Sequence, residues 1–192
     1  MALAKTGITA NTPQNITFGA GVIYRDLKYE GSDWTGTILG ATQGGSKVNI
    51  TPETIDIEVD GATVKVEGLG EKTGETATME INLIEITPDI LKMVTLGKEN
   101  ESGTVTGYKE IVSKARIEKD DYVDGVAFVG HTLDGENIIV LFDKAICGSG
   151  LELEGKNKEN GVIKATFECV APITGDLETL PWHIYYPNRV SG

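Results

Sequence analysis

The chain has 192 residues, 40% of them hydrophobic and 24% charged, enough for one core in one domain, so a single unit over 1–192 with extended loops and terminal arms is expected. Seventeen Lys and Arg stand against 29 Asp and Glu, a net charge of −12, which argues against a surface that neutralises phosphates and against nucleic acid as a specifically bound ligand. No run approaches the roughly 18 apolar residues of a membrane helix, and the apolar stretch after Met1 is too short for a signal peptide, so the expectation is a soluble, cytoplasmically made protein with no membrane partner.

In chain order, Asn15 to Tyr29 reads as a strand with a bulge at Gly19 and Gly21. Trp34 is expected in a Gly/Ser/Asp turn and Thr37 to Gly40 as a short strand. Ala41 to Ser46 is expected as a flexible connection, part of a Gly-rich excursion from Gly40 to Pro52, with an extended pattern resuming at Lys47. Ile55 to Gly68 alternates apolar and polar residues on both sides of Asp60-Gly61, the signature of a β-hairpin with a type I′ turn. That register sets Val59 against Ala62, Ile57 against Val64 and Ile55 against Val66, and puts Asp56, Glu58, Thr63 and Lys65 on the polar face. Thr76 to Ile86 alternates again, with Met79, Ile81 and Leu83 on one side and Thr78, Glu80 and Asn82 on the other.

The period changes at Thr87. Thr87 as N-cap, Pro88 at the first helical position, Asp89 at the positive end and Gly97 as terminator predict a helix over 87–96, burying Ile90, Leu91, Val94 and Met93. Lys98 to Gly107 reads as a loop and Tyr108 to Ile117 as a strand. Val126 to Leu133 and Asn137 to Phe142 flank Asp134-Gly135 as a second hairpin, whose continuous apolar run predicts cover on both faces. Leu151 to Glu154 and Val162 to Val170 read as a third hairpin. The tail from Pro181 to Pro187 is expected to lie extended on a surface. The fold class is therefore mainly β, an antiparallel sandwich or barrel with one flanking helix.

Chemistry is sparse. His131 and His183 lack metal-ligand spacing, and Cys147 and Cys169 lack a CxxC spacing and read as free and buried. Asp120, Asp121 and Asp124, like Asp56, Glu58 and Asp60, read as solvated faces, without an EF-hand pattern. No nucleophile elbow or phosphate loop is present. No catalytic, cofactor-binding or metal-ligating residue is assigned, and an enzyme is not expected. Trp34, Trp182, Tyr185 and Tyr186 leave a carbohydrate-binding sandwich as the alternative, though docking of the tail is the preferred reading.

Phe18-Gly-Ala-Gly-Val-Ile-Tyr24, Leu39-Gly-Ala-Thr-Gln-Gly-Gly45, Asp56-Ile-Glu-Val-Asp-Gly-Ala62, Leu83-Ile-Glu-Ile-Thr87, Gly150-Leu-Glu-Leu-Glu154 with Lys156 to Gly161 and Thr166-Phe-Glu168, and Pro181-Trp-His-Ile-Tyr-Tyr-Pro187 resemble, in this order, the major tail proteins of long-tailed phages and prophages of Gram-positive bacteria. The resemblance covers most of the chain and extends equally to flexible tails, contractile tails and phage-derived bacteriocins. It implies a virion tail-tube subunit forming hexameric rings that stack into a conduit through which DNA passes without specific binding. The implied partners are further copies and other tail proteins: tape measure, baseplate initiator and terminator. On this reading Ile55, Asp56, Glu58, Asp60, Gly61, Val64 and Lys65 form an inter-subunit or lumen-facing hairpin, and Gly40, Gln43, Gly44, Gly45 and Lys47 an inter-ring loop.

Overall fold

A computed structural model describes residues 6–9, 11–100, 105–153, 157–158 and 160–189. A short helix α1 (Thr12–Asn15) precedes β1 (Thr17–Glu30), β2 (Asp33–Ile38), β3 (Thr42–Asp56) and β4 (Gly70–Leu83). Helix α2 (Pro88–Thr95) follows, then β5 (Lys98–Asn100), β6 (Glu110–Val112), a 3-10 turn (Lys119–Asp121), β7 (Tyr122–Thr132), β8 (Asn137–Cys147), β9 (Ile163–Cys169) and β10 (Trp182–Tyr185). The main sheet runs β2-β1-β7-β8-β9-β4-β3 with β10 also beside β8, and β5 and β6 form a separate pair. Every pairing is antiparallel.

The shape follows from one short connection. Strands β2 and β3 are the two edges of the sheet, yet only Leu39, Gly40 and Ala41 separate them. Four Cα steps reach at most about 14 Å, whereas the edges of a flat seven-strand sheet stand roughly 29 Å apart. The sheet must fold over on itself. It does so with a fork at β8, whose outer edge pairs with β10 over Ile139 to Phe142 and with β9 over Ala145 to Cys147. The two edges are not paired with each other, so the result is an open sandwich and not a closed barrel.

Between the layers, Ile23, Val126 and Phe142 meet Met79, Ile81, Leu83, Ile163 and Phe167, all essentially without solvent contact. The inward set of β4 is the one its alternation predicts. On the opposite face of β1, β7 and β8, Leu27, Ala127, Val129, Ile139 and Leu141 pack beneath Tyr24 and Trp34. Strands β7 and β8 are thus covered on both sides, as their unbroken apolar runs require. The bulge predicted in β1 is present, with Gly19 and Gly21 at positive φ where the register against β7 shifts.

Helix α2 begins as expected: the Thr87 hydroxyl accepts from the Ile90 amide at 3.2 Å, Pro88 opens the first turn, and Ile90 and Val94 are buried. Its end differs by one residue. Leu96 takes the left-handed conformation (φ 50°), and Gly97 packs against the Val112 carbonyl while its amide returns to the Lys92 carbonyl at 3.0 Å.

Several expectations are corrected. The β3–β4 ladder reaches Asp56↔Gly70, so Ile55 pairs with Glu71 and not with Val66, and residues 57–69 form a protruding loop without a strand ladder. The Gly40 to Pro52 excursion is mostly strand, with Gln43, Gly44, Gly45 and Lys47 inside β3. Trp34 lies in β2 opposite Tyr29, the turn being Gly31-Ser32. Within the segment read as a loop, Lys98 to Asn100 is strand, and residues 101–104 lie outside the described residues. The strand expected from Tyr108 to Ile117 is limited to β6. No strand forms at 151–153, residues 154–156 lie outside the described residues, and β9 instead takes β4 and β8 as partners. Where β3 and β9 take partners distant in sequence, long-range pairing overrode local pattern.

Candidate assembly surfaces

The tip between β3 and β4 gathers five exposed aliphatic side chains in one segment. A turn forms at Asp60-Gly61, with the Ala62 amide donating to the Val59 carbonyl at 3.0 Å, but it is not the type I′ turn expected: Gly61 is at φ 90° while Asp60 is not at positive φ. Below it the loop is tied by Ile57 N–H to the Leu69 carbonyl at 2.8 Å and by Lys65 Nζ to Asp56 Oδ2 at 2.5 Å. Ile55, Ile57, Val59, Val64 and Val66 remain 47–75% exposed. The hairpin residues are therefore gathered at one end of the molecule, but the alternation that should bury one face finds nothing among the described residues to bury it against. An aliphatic stripe left in water gains about 25 cal/mol for each Å² later covered.

The second predicted set lies on the β3 edge. Gly44 (φ 83°) and Gly45 (φ 84°) form a bulge between Thr42↔Leu83 and Ser46↔Ile81. The Asn82 amide donates to the Gly45 carbonyl at 3.4 Å, and Lys47 Nζ meets Glu80 at 3.2 Å. Gly40 packs near Leu83 and Ile90. These residues brace the edge and are not a free loop. Beyond them the outer side of the 15-residue β3 carries no strand partner among the described residues, which is the geometry that accepts another strand.

Sequence reasoning missed how the C-terminal segment is fastened, because its contacts lie far away in the chain. The Trp182 Nε1 donates to Glu75 at 2.6 Å, His183 meets Asp143 at 3.2 Å, Tyr186 donates to Asn15 at 2.6 Å, and Arg189 approaches Asp134 at 3.3 Å. Glu75 is also bound by Lys72, and this hydrogen bond, ahead of the one from Trp182, holds its carboxyl below the usual value. The docking expected of the tail is observed. The aromatic row it helps to make, Tyr29, Trp34 and Tyr185, has centroids 5.3 and 4.8 Å apart and interplanar angles of 58° and 68°. Trp34 and Tyr185 pack edge to face and Tyr29 is tilted against Trp34, while Trp182 turns towards the core.

Elsewhere several charges are paired. Lys114 and Asp121, 9% and 7% exposed, pair at 2.6 Å beside the α2 end of the sandwich, with Glu118 at 3.4 Å; the bond from Asp121 raises the Lys114 pKa. Lys92 and Asp89 pair at 2.9 Å, and Lys144 pairs with Asp124 at 2.5 Å. Both cysteines are free and buried; burial pushes Cys147 up and Cys169 to about 12, so neither thiol ionises near neutrality. Among the described residues no group of three His, Cys, Asp or Glu side chains converges to hold a metal, and no helix is long and apolar enough to cross a membrane. Shape, free strand edges and exposed aliphatic surface are what this arrangement offers a partner. No protein-family model matches the chain, and no curated protein matches it.

Proposed function

We propose that the chain is a structural subunit of a phage or prophage tail tube, self-associating into hexameric rings that stack into a conduit for DNA in the virion tail. The observation that carries this reading is the unpartnered β3 edge ending in a tip with five exposed aliphatic side chains. Edge and tip are the two kinds of surface that strand addition and hydrophobic docking use. The ordered series of motifs shared with major tail proteins supports the same reading, and an acidic chain suits a passage that DNA must traverse without adhering. Other tail proteins, namely tape measure, initiator and terminator, are the further partners on this view.

The test is negative-stain electron microscopy of the concentrated protein together with light scattering. Rings or hollow tubes with a mass of six subunits or a multiple are expected. A species that stays monomeric at every concentration, alone and with an initiating complex, would overturn the proposal.

A further inference from the structure

The C-terminal segment is fastened to the sandwich without belonging to its core. Every buried hydrophobic side chain among the described residues lies at or before Cys169. Beyond it, residues 182–189 form a strap whose ladder is the four residues of β10 against Ile139 to Phe142 of β8, with Trp182 half-buried and His183, Ile184 and Tyr185 exposed. The connection 170–181 stands off the sheet, with Ile173 91% and Leu177 73% exposed, beside a cleft lined by Glu71 to Glu75. The strap can therefore leave without opening the core, and its departure bares the β8 edge.

Its side-chain ties share one chemistry. Trp182 ends on Glu75 of β4, His183 on Asp143 of β8 and Arg189 on Asp134 of the β7–β8 turn, and the tie from Tyr186 to Asn15 is neutral. Residues 182–189 contain no carboxylate of their own. Around the ties, Lys72 binds Glu75, Lys144 beside Asp143 binds Asp124, and Asp176 is bound by Thr179. Glu71 and Glu178 line the cleft, and His131 and Glu136 flank the turn. The bond from Lys72, ahead of that from Trp182, holds Glu75 below 4.5, and the Thr132 hydroxyl, ahead of the Arg189 charge, holds Asp134 below 3.8. A depressed folded-state pKa gives stability that is present above the unfolded-state value and lost as pH falls through the folded-state one, so these ties are complete at pH 7 and go in acid. Acid also protonates His183, which leaves the strap two cations, His183 and Arg189, without a counter-charge. Arg189 Nε and Nη1 are already buried with no hydrogen-bond partner among the described residues, which weakens the closed form.

We propose that the strap is an acid-released cover: protonation of its carboxylate partners lets residues 182–189 lift off β8 as a unit while the two-layer core stays folded. The inference concerns a single copy and stands apart from self-assembly.

Both tryptophans of the chain report on the strap, since Trp182 belongs to it and Trp34 packs on Tyr185 with centroids 4.8 Å apart. The experiment follows tryptophan emission and far-UV circular dichroism of the dilute full chain from pH 7 to 2. A red shift of the emission that precedes loss of the sheet signal by about half a pH unit or more is expected. Val140→Cys with Ile184→Cys, opposite one another in the β8–β10 ladder, closes the strap by a disulfide after oxidation, and there the two signals should move together. Combined Glu75→Gln, Asp134→Asn and Asp143→Asn should show the red-shifted emission at pH 7 with the sheet signal intact. Coincident transitions in the wild type would overturn the proposal. So would an early red shift that survives the disulfide, or a neutralised variant that keeps the wild-type emission or loses its sheet.

Discussion

The indole of Trp182 donates to the carboxylate of Glu75 across 107 positions of sequence at 2.6 Å, binding the C-terminal strand to the middle of β4. Lys72 binds the same carboxylate, which is only 8% exposed, and its pKa lies below the ordinary 4.5. A folded-state pKa that is depressed contributes stability above the unfolded-state value and loses it as pH falls through the folded-state value. Glu75→Gln is expected to cost about 1–2 kcal/mol at pH 7 and to flatten the decline in stability below pH 4.5. Urea melts from pH 7 to 3 measure this; identical slopes for the two proteins would refute it.

The thiols of Cys147 and Cys169 are expected to resist an aromatic disulfide reagent at pH 8 in the native protein and to react fully once unfolded, because burial keeps both protonated and covered. Absorbance at the released thiolate follows the reaction. Rapid labelling of the folded chain would contradict the placement of β8 and β9.

Gly125 sits in β7 at φ 59°, and a Cβ there would lie 2.5 Å from the Leu27 amide nitrogen and 2.7 Å from its carbonyl oxygen. The obstruction is main chain, so no rotamer relieves it. Gly125→Ala is expected to destabilise the fold by about 3 kcal/mol or more, adding a clash to an unfavourable φ. Calorimetry reads the drop in Tm, and an unchanged Tm would count against this close crossing of β1 and β7.

Thr87→Ala removes the side-chain acceptor of the Ile90 amide and is expected to cost about 1 kcal/mol. Thr87→Ser, which keeps the acceptor, should recover most of it. Equal losses for both in denaturant titration would assign the effect to the methyl group instead.

Two variants separate subunit folding from assembly. Val64→Pro falls in a loop outside any ladder and is expected to shift subunit stability by no more than about 0.5 kcal/mol. Deletion of Gly40 to Pro52 removes most of β3 from the sheet and is expected to unfold the subunit. Circular dichroism melts check both. A cooperative, wild-type-like transition for the deletion would show that β3 is dispensable to the core.

The sequence makes the all-β class, the β4 alternation, the capped helix and the β7–β8 hairpin legible because each is decided locally, by period, cap or turn residue. The tip shows the limit of local reading. Asp60-Gly61 does make a turn, but Ile57 and Val64 have no layer to face among the described residues, so alternation alone does not draw them into a ladder. Gly44 and Gly45 look like a loop and are a bulge because β4 offers a continuous partner on one side.

The three-residue link between the two sheet edges bears on how the chain folds in time. The β3–β4 hairpin closes on itself early, with one face of Ala77, Met79 and Ile81 bare, but its layer is complete only when β9 arrives from nearly ninety residues downstream. Pairings of that span make a high contact order, and the expected refolding is slow, in the range of milliseconds to seconds, with β4 the surface on which premature association starts. Stopped-flow refolding at several protein concentrations would read this directly: a rate that falls as concentration rises marks association through the uncovered face, and a microsecond phase independent of concentration would refute it.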